Sequence, residues 1–252
     1  MQIDLKGKRA LVTGGSRGVG AATARMLARA GADVGISYRS REAEAGALVA
    51  GLRELGVRAW AHAGDLADPA AVAELFQRAE TELGGLDILV ANAGVWPHEA
   101  VPIAAMSTAQ WRRTLAVNLD GVFYCVRAAA AMMDDGGRIV VVGSTAGQRG
   151  EADHGDYAAS KGALMSLVKG VAVELAERDI TVNCVAPGWI DTEMAEVPYE
   201  GEGRERIART IPLGRVASAE DVAGPIVFLC SGLARHVTGE VLNVNGGAVL
   251  CG

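Results

Sequence analysis

The chain has 252 residues, half of them hydrophobic and only 4% aromatic, with a formal net charge of −6. That sign argues against a nucleic-acid surface, which needs clustered lysine and arginine, and the apolar content is ample for one large core. No unbroken apolar run reaches the roughly 18 residues of a membrane span, and Met1-Gln2-Ile3-Asp4-Leu5-Lys6 lacks the apolar stretch of a secretory signal, so a cytoplasmic protein is expected.

From the amino end, Arg9–Thr13 is a short apolar run, read as a buried strand. It leads directly into Gly14-Gly15-Ser16-Arg17-Gly18-Val19-Gly20 and then a helical stretch, Gly18–Ala30, closed by Gly31. Strand, glycine turn and helix are the context a dinucleotide site requires. The glycines let the backbone approach a pyrophosphate, and the helix start offers free N–H groups and a favourable dipole. The spacing is Gly14-x-x-x-Gly18-x-Gly20 rather than the commoner Gly-x-Gly-x-x-Gly.

Further apolar runs predict strands at Asp33–Tyr38, Arg58–His62, Leu86–Ala91, Arg138–Gly143, Thr181–Ala186 and Val241–Val244. Between them lie helical patterns at Ser40–Leu55, Pro69–Leu83, Thr108–Met132, Tyr157–Glu177 and Ser218–Ser231, with Asp68-Pro69 and Ser218-x-x-Asp221 as helix starts. Strands alternating with helices, and few hairpin signals, predict a doubly wound α/β fold: a parallel seven-stranded sheet covered on both faces, Rossmann-like. Residues 1–252 read as one domain, without repeats or a linker. The charged, glycine-containing segment 191–215 breaks the rhythm and reads as a substrate lid or a plain loop.

Cys125, Cys184, Cys230 and Cys251 are far apart, form no Cys-x-x-Cys, and read as buried free thiols in a reducing compartment. The scattered His62, His98, His154 and His236 give no metal-binding spacing.

The second predicted strand ends at Tyr38, followed by Arg39, Ser40 and Arg41, with no acid before Glu42. NAD-preferring folds place a carboxylate there to accept from the ribose 2′-OH. Here guanidiniums and a hydroxyl, joined by Arg17 from the glycine turn, would clamp a 2′-phosphate. NADP(H) is therefore preferred, with NAD(H) left open; the alternative is that Arg39 and Arg41 are solvated helix-start charges.

Tyr157 and Lys161 lie one helical turn apart on one face. An ammonium beside a phenol favours the phenolate and is expected to lower the tyrosine pKa toward working pH. Such pairs are common on surface helices; the ordered context singles this one out. Thr13-Gly14-x-x-x-Gly18-x-Gly20, Asn92-Ala93-Gly94, Ser144, Tyr157-x-x-x-Lys161 and Pro187-Gly188 follow in sequence. On these motifs, over Leu5 to Asn245, the chain resembles the single-domain branch of the short-chain dehydrogenase/reductase family, and is similar to its 3-oxoacyl-carrier-protein reductases and its sugar or alcohol dehydrogenases.

The resemblance implies that Tyr157 is the general acid or base, that Ser144 polarises the carbonyl, and that Lys161 lowers the tyrosine pKa and binds the nicotinamide ribose. Asn118 would hold a water linking Lys161 to solvent. It places the cofactor on the glycine turn with Ser16 and Val19, on Asp65 and Leu66 for the adenine, and on Asn92, Ala93 and Gly94, where Ala91 replaces an asparagine frequent in the family. Pro187, Gly188, Ile190 and Thr192 would hold the nicotinamide amide. It also implies a homotetramer built on Thr108–Met132, Tyr157–Glu177 and the tail from Leu242. A small ketone or secondary alcohol is the expected substrate. An acyl carrier protein is disfavoured, because Asp135 and Val173 stand where carrier-protein reductases present basic residues, although Arg127, Arg138 and Lys169 are nearby. Trp96, Gln148, His154 and Trp189 are candidates for the pocket wall. A dinucleotide-binding regulator without turnover, or a scaffold, are readings from other classes.

Overall fold

The computed structural model describes residues 3–251. Its strands are β1 (Arg9–Val12), β2 (Asp33–Tyr38), β3 (Ala59–Ala63), β4 (Ile88–Ala91), β5 (Arg138–Val142), β6 (Thr181–Pro187) and β7 (Val241–Val244). They form one parallel sheet in the order β3-β2-β1-β4-β5-β6-β7. Strand order reverses at β1, which pairs β2 on one side (Arg9 opposite Asp33) and β4 on the other (Ala10 opposite Ile88). The crevice beyond the carboxyl ends of β1 and β4 is thus the ligand position of a doubly wound sheet.

The main helices are α1 (Gly18–Arg29), α2 (Glu42–Arg53), α3 (Pro69–Leu83), α4 (Thr108–Leu115) and α5 (Gly121–Met132); a one-turn α6 (Ala146–Arg149) precedes α7 (Gly155–Glu174). Two short helices, α8 (Glu196–Tyr199) and α9 (Gly203–Ala208), come before α10 (Ala219–Leu229). Strand residues alternate between the faces: Ala10, Val12, Val90 and Val140 join α1, α2 and α10 in one core, while Leu11, Leu89, Ile139 and Val141 join α3, α5 and α7 in the other. This two-sided burial is why the strands read as unbroken apolar runs. The predicted helix starts hold: Asp68 accepts from the Ala70 N–H at 2.9 Å, and Ser218 and Asp221 cap each other's backbone.

Three expectations need correction. Thr108–Met132 is not one regular helix; a π-helical turn, Ala116–Asp120, separates α4 from α5. There Asn118 turns its side chain to Val95, and Gly121 packs so closely on the Leu66 carbonyl that a Cβ would approach it to 2.8 Å. Thr108–Met132 also reaches a mean hydropathy of 1.3 in its most apolar window and passes a length-and-composition test for a span. Its apolar positions Val122, Cys125, Val126 and Ala129 nevertheless face the core, and the segment carries Arg112, Arg113, Asp120 and Arg127. The second correction concerns 191–215, where a 3-10 turn (Glu193–Ala195), α8 and α9 replace an irregular loop. The segment is tethered where Ile190 pairs with Ala217 and where Tyr199 donates to the Ile190 carbonyl at 2.9 Å. Cys125, Cys184 and Cys230 are buried; Cys251 is exposed, against expectation, because the tail runs over the surface.

Candidate active site

A cleft of about 850 Å³ opens at the carboxyl ends of the strands. Its inner end is built by the β1–α1 turn. Gly14 and Gly18 adopt positive φ, and a Cβ on Gly20 would lie 2.3 Å from the Gly14 carbonyl oxygen. Only glycine allows this turn to close. Asn92 stitches the turn to β4: its side-chain amide donates to the carbonyls of Thr13 (2.9 Å) and Gly14 (3.1 Å). The Thr13 hydroxyl in turn accepts from the N–H groups of Asn92 and Ala93, both at 3.0 Å. Asn92 thus serves the backbone, as a residue at the strand-order reversal should.

All the expected nucleotide-contacting residues except Gly20 line this one cleft: Gly14, Ser16, Arg17, Gly18 and Val19 at the turn; Tyr38, Arg39 and Ser40 after β2; Asp65 and Leu66 after β3; Asn92, Ala93 and Gly94 after β4; and Pro187, Gly188, Ile190 and Thr192 after β6. Gly20 sits beneath, shaping the turn. At the β2 end, Arg39 reaches Asp65 at 3.7 Å, and Arg17 and Arg41 both donate to one carboxylate oxygen of Glu193, Arg41 at 2.9 Å. Glu193 was missed as a member of this cluster, because its pairing with Arg41 joins segments 152 residues apart.

Ser144 (after β5), Tyr157 and Lys161 (on α7) line the same cleft at its floor. Asn118 stands behind it, fully buried, accepting from the Val95 N–H at 2.8 Å and donating to the Val95 carbonyl at 2.9 Å and to the Ser160 hydroxyl at 3.2 Å. Ser160 donates on to the Tyr157 carbonyl at 2.7 Å. Gly94 admits this group: a Cβ there would lie 3.2 Å from the Asn118 oxygen and 3.4 Å from Lys161 Nζ. The four expected catalytic side chains therefore meet at one place. Asp156, also fully buried, was missed; it accepts from the Tyr157 N–H (2.9 Å), the Thr114 hydroxyl (2.7 Å) and the Gln110 amide (3.3 Å). An acid in the first turn of α7, next to the tyrosine, was the available signal.

The electrostatics reverse one expectation. Tyr157 keeps an edge on the cleft but lies deep in the protein. Burial pushes its phenol up to about 12; the facing Ser144 hydroxyl opposes this and Glu151 adds to it. Burial pushes Lys161 down to about 8. Burial outweighs the ammonium, whose Nζ donates to the Val142 carbonyl at 2.8 Å and stands 5.9 Å from the centre of the tyrosine ring. The pocket wall also differs in part. Trp96 and Trp189 line the cleft as expected, joined by Arg149 and Glu151. His154 instead stacks under Trp96 (4.5 Å between ring centres), and Gln148 donates to Asn243 at 2.7 Å.

A seven-stranded doubly wound sheet with a glycine turn at its reversal and Ser, Tyr and Lys on the cleft floor defines a nucleotide-dependent oxidoreductase class. Comparison with known proteins agrees. Residues 14–249 match a family model described as enoyl-(acyl carrier protein) reductase. A 3-oxoacyl-[acyl-carrier-protein] reductase of Aquifex aeolicus is 39% identical, the alignment covering 98% of this chain and 99% of that protein. An L-rhamnose 1-dehydrogenase (NAD(P)(+)) of a Sphingomonas species is 40% identical over 96% of each. A crystal structure of a short-chain dehydrogenase from Burkholderia cenocepacia in complex with NADP superimposes with a TM-score of 0.91 at 42% identity, covering 97% of this chain and 98% of that one. The chain belongs to the short-chain dehydrogenase/reductase family, and it is an oxidoreductase acting on CH–OH and C=O groups.

Proposed function

We propose that the protein uses NADP(H) to interconvert a small ketone and its secondary alcohol, with Tyr157 as proton donor and acceptor. The observation that carries this is the convergence of Ser144, Tyr157 and Lys161 on the floor of one cleft, backed by the buried Asn118. The glycine turn, open to a pyrophosphate, and two guanidiniums already holding an anionic oxygen fit a 2′-phosphorylated dinucleotide. Bound there, the nicotinamide would give or take the hydride. Ser144 and Tyr157 then present hydroxyl donors to the substrate oxygen, where negative charge develops during reduction. Tyr157, protonated at neutral pH, delivers its proton to that oxygen. Lys161, poised near 8, is the group able to replace it, with Asn118 and Ser160 fixing the polar chain behind. The segment 191–215 acts as the substrate lid, placing Met194 and Ala195 on the cleft rim.

The test is Tyr157→Phe, assayed with NADPH and a ketone panel. Turnover should fall by roughly 10²–10⁴, the span of a lost general acid, while NADPH binding, read by its fluorescence, persists. Full turnover in this variant would remove the proposal, and binding without turnover in the wild type on every ketone would favour a regulator.

A second reading, reduction of a 3-oxoacyl group on a carrier protein, draws on the Aquifex relative. The surface argues against it. Asp134 and Asp135 are exposed, Val173 is exposed on α7, Arg138 is engaged by three backbone carbonyls, and Arg127 lies over Phe123 and Tyr124. Lys169 remains exposed on α7, but set against the exposed Asp134 and Asp135 it leaves an acidic partner few free cations there. The exposed Phe123, Val173 and Leu250 lie on α5, α7 and the tail, which supports a homotetramer; light scattering would check it. A cytoplasmic location accords with the three buried free thiols.

A further inference from the structure

Glu193 stands at the first turn of the lid, directly after Thr192, whose methyl lies against the glycine turn, 3.4 Å from where a Gly18 Cβ would be. One Glu193 carboxylate oxygen takes hydrogen bonds from two arginines on different turns: Arg17, between β1 and α1, and Arg41, between β2 and α2. Arg41 also holds Glu44 at 3.1 Å, and Arg39 is turned to Asp65. The two guanidiniums best placed for a 2′-phosphate thus hold a carboxylate from the lid. A carboxylate and a phosphate dianion repel each other and draw on the same two guanidiniums, so they compete for them.

We propose that Glu193 is an internal competitor for the cofactor's 2′-phosphate: NADP(H) displaces it from Arg17 and Arg41 and frees the first turn of the lid, whereas NAD(H) leaves it latched. Glu193 therefore lowers discrimination against NAD(H) and couples the choice of cofactor to lid opening. This rests on the NADP(H) reading above.

The test uses the full chain and two fragments without nicotinamide, adenosine 2′,5′-bisphosphate and 5′-AMP, titrated by calorimetry into wild type and Glu193→Gln. Two exposed ion pairs are at stake, so Glu193→Gln should bind the bisphosphate about three- to tenfold more tightly and 5′-AMP within about twofold, with the gap narrowing in high salt. Amide exchange over 191–196 in the wild type should speed up with the bisphosphate and not with 5′-AMP. An unchanged bisphosphate-to-AMP ratio in Glu193→Gln overturns the competitor role alone if the wild type still prefers the bisphosphate. If neither protein distinguishes the nucleotides, the phosphate clamp falls and the competitor with it. An exchange response common to both nucleotides overturns the latch.

Discussion

The floor and the lid of the cleft are held in opposite ways. At the floor, Asn118, Asp156 and Lys161 are buried, and Asn118 and Asp156 bond to backbone groups and to neighbouring hydroxyl and amide side chains. At the lid, Arg17, Arg41, Glu193, Asp191 and Arg204 meet in ion pairs whose side chains are two-fifths to one-half exposed. Buried polar bonds are costly to break and fix one geometry; exposed pairs are weak, screened and exchangeable. The proposed proton chemistry sits where geometry cannot vary, and the proposed selectivity sits where it can.

The sharpest way to break this contrast is at the floor. Asn118→Leu leaves both backbone groups of Val95 without their partner and removes one of the two bonds of the Ser160 hydroxyl, and should cost about 2–4 kcal/mol in denaturant unfolding, with activity lost. Asp156→Ala leaves the Tyr157 N–H and the Thr114 hydroxyl unpaired and should cost about 1–3 kcal/mol. Its effect on kcat should exceed its effect on nucleotide binding, since it repositions Tyr157 and leaves the glycine turn intact.

The next test is pH. Reduction needs a protonated phenol, which persists to about 12, so the reduction rate should decline only as Lys161 loses its proton above about 8. Oxidation needs the phenolate, and should rise with pH through the same range. Stability gives an independent sign. The folded value of Lys161, about 8, lies below its ordinary 10.5, so the unfolded chain binds more protons between them. Wild type should gain stability relative to Lys161→Met as pH rises across that window, in unfolding measured without nucleotide. The smallest effect belongs to the lid: Arg204→Ala removes the exposed pair with Asp191 (2.7 Å) and should leave the denaturant midpoint unchanged within error.

Much of this was legible in the chain. The strands were placed within a residue or two, since burial on both faces leaves unbroken apolar runs such as Ile139 to Val142. Tyr157 and Lys161 fell on one helix because four-residue spacing is a local property. What was not legible depends on distant groups. The sign of the Tyr157 shift depends on depth, and the Val142 carbonyl that accepts from Lys161 Nζ is contributed by β5. His154 slipped beneath Trp96 because ring stacking is set by tertiary packing. The short helices of 191–215 have little local signal, being brief and charged, and the Arg41–Glu193 pair spans separate loops.

The wide turn at Ala116–Asp120 carries a consequence for how such a site can be gained or lost. Its closing bond runs from the Gly121 N–H to the Ala116 carbonyl, five residues back rather than four, so it accommodates one surplus residue and leaves the facing of both neighbouring helices undisturbed. Excising Val117 would let an ordinary ladder heal through the gap, with Cys125, Val126 and Ala129 still turned inward and the amide of Asn118 swung off Val95. A chain so shortened should fold and be catalytically silent. A single codon separates a plain structural rod from one that holds a buried amide behind the cleft floor.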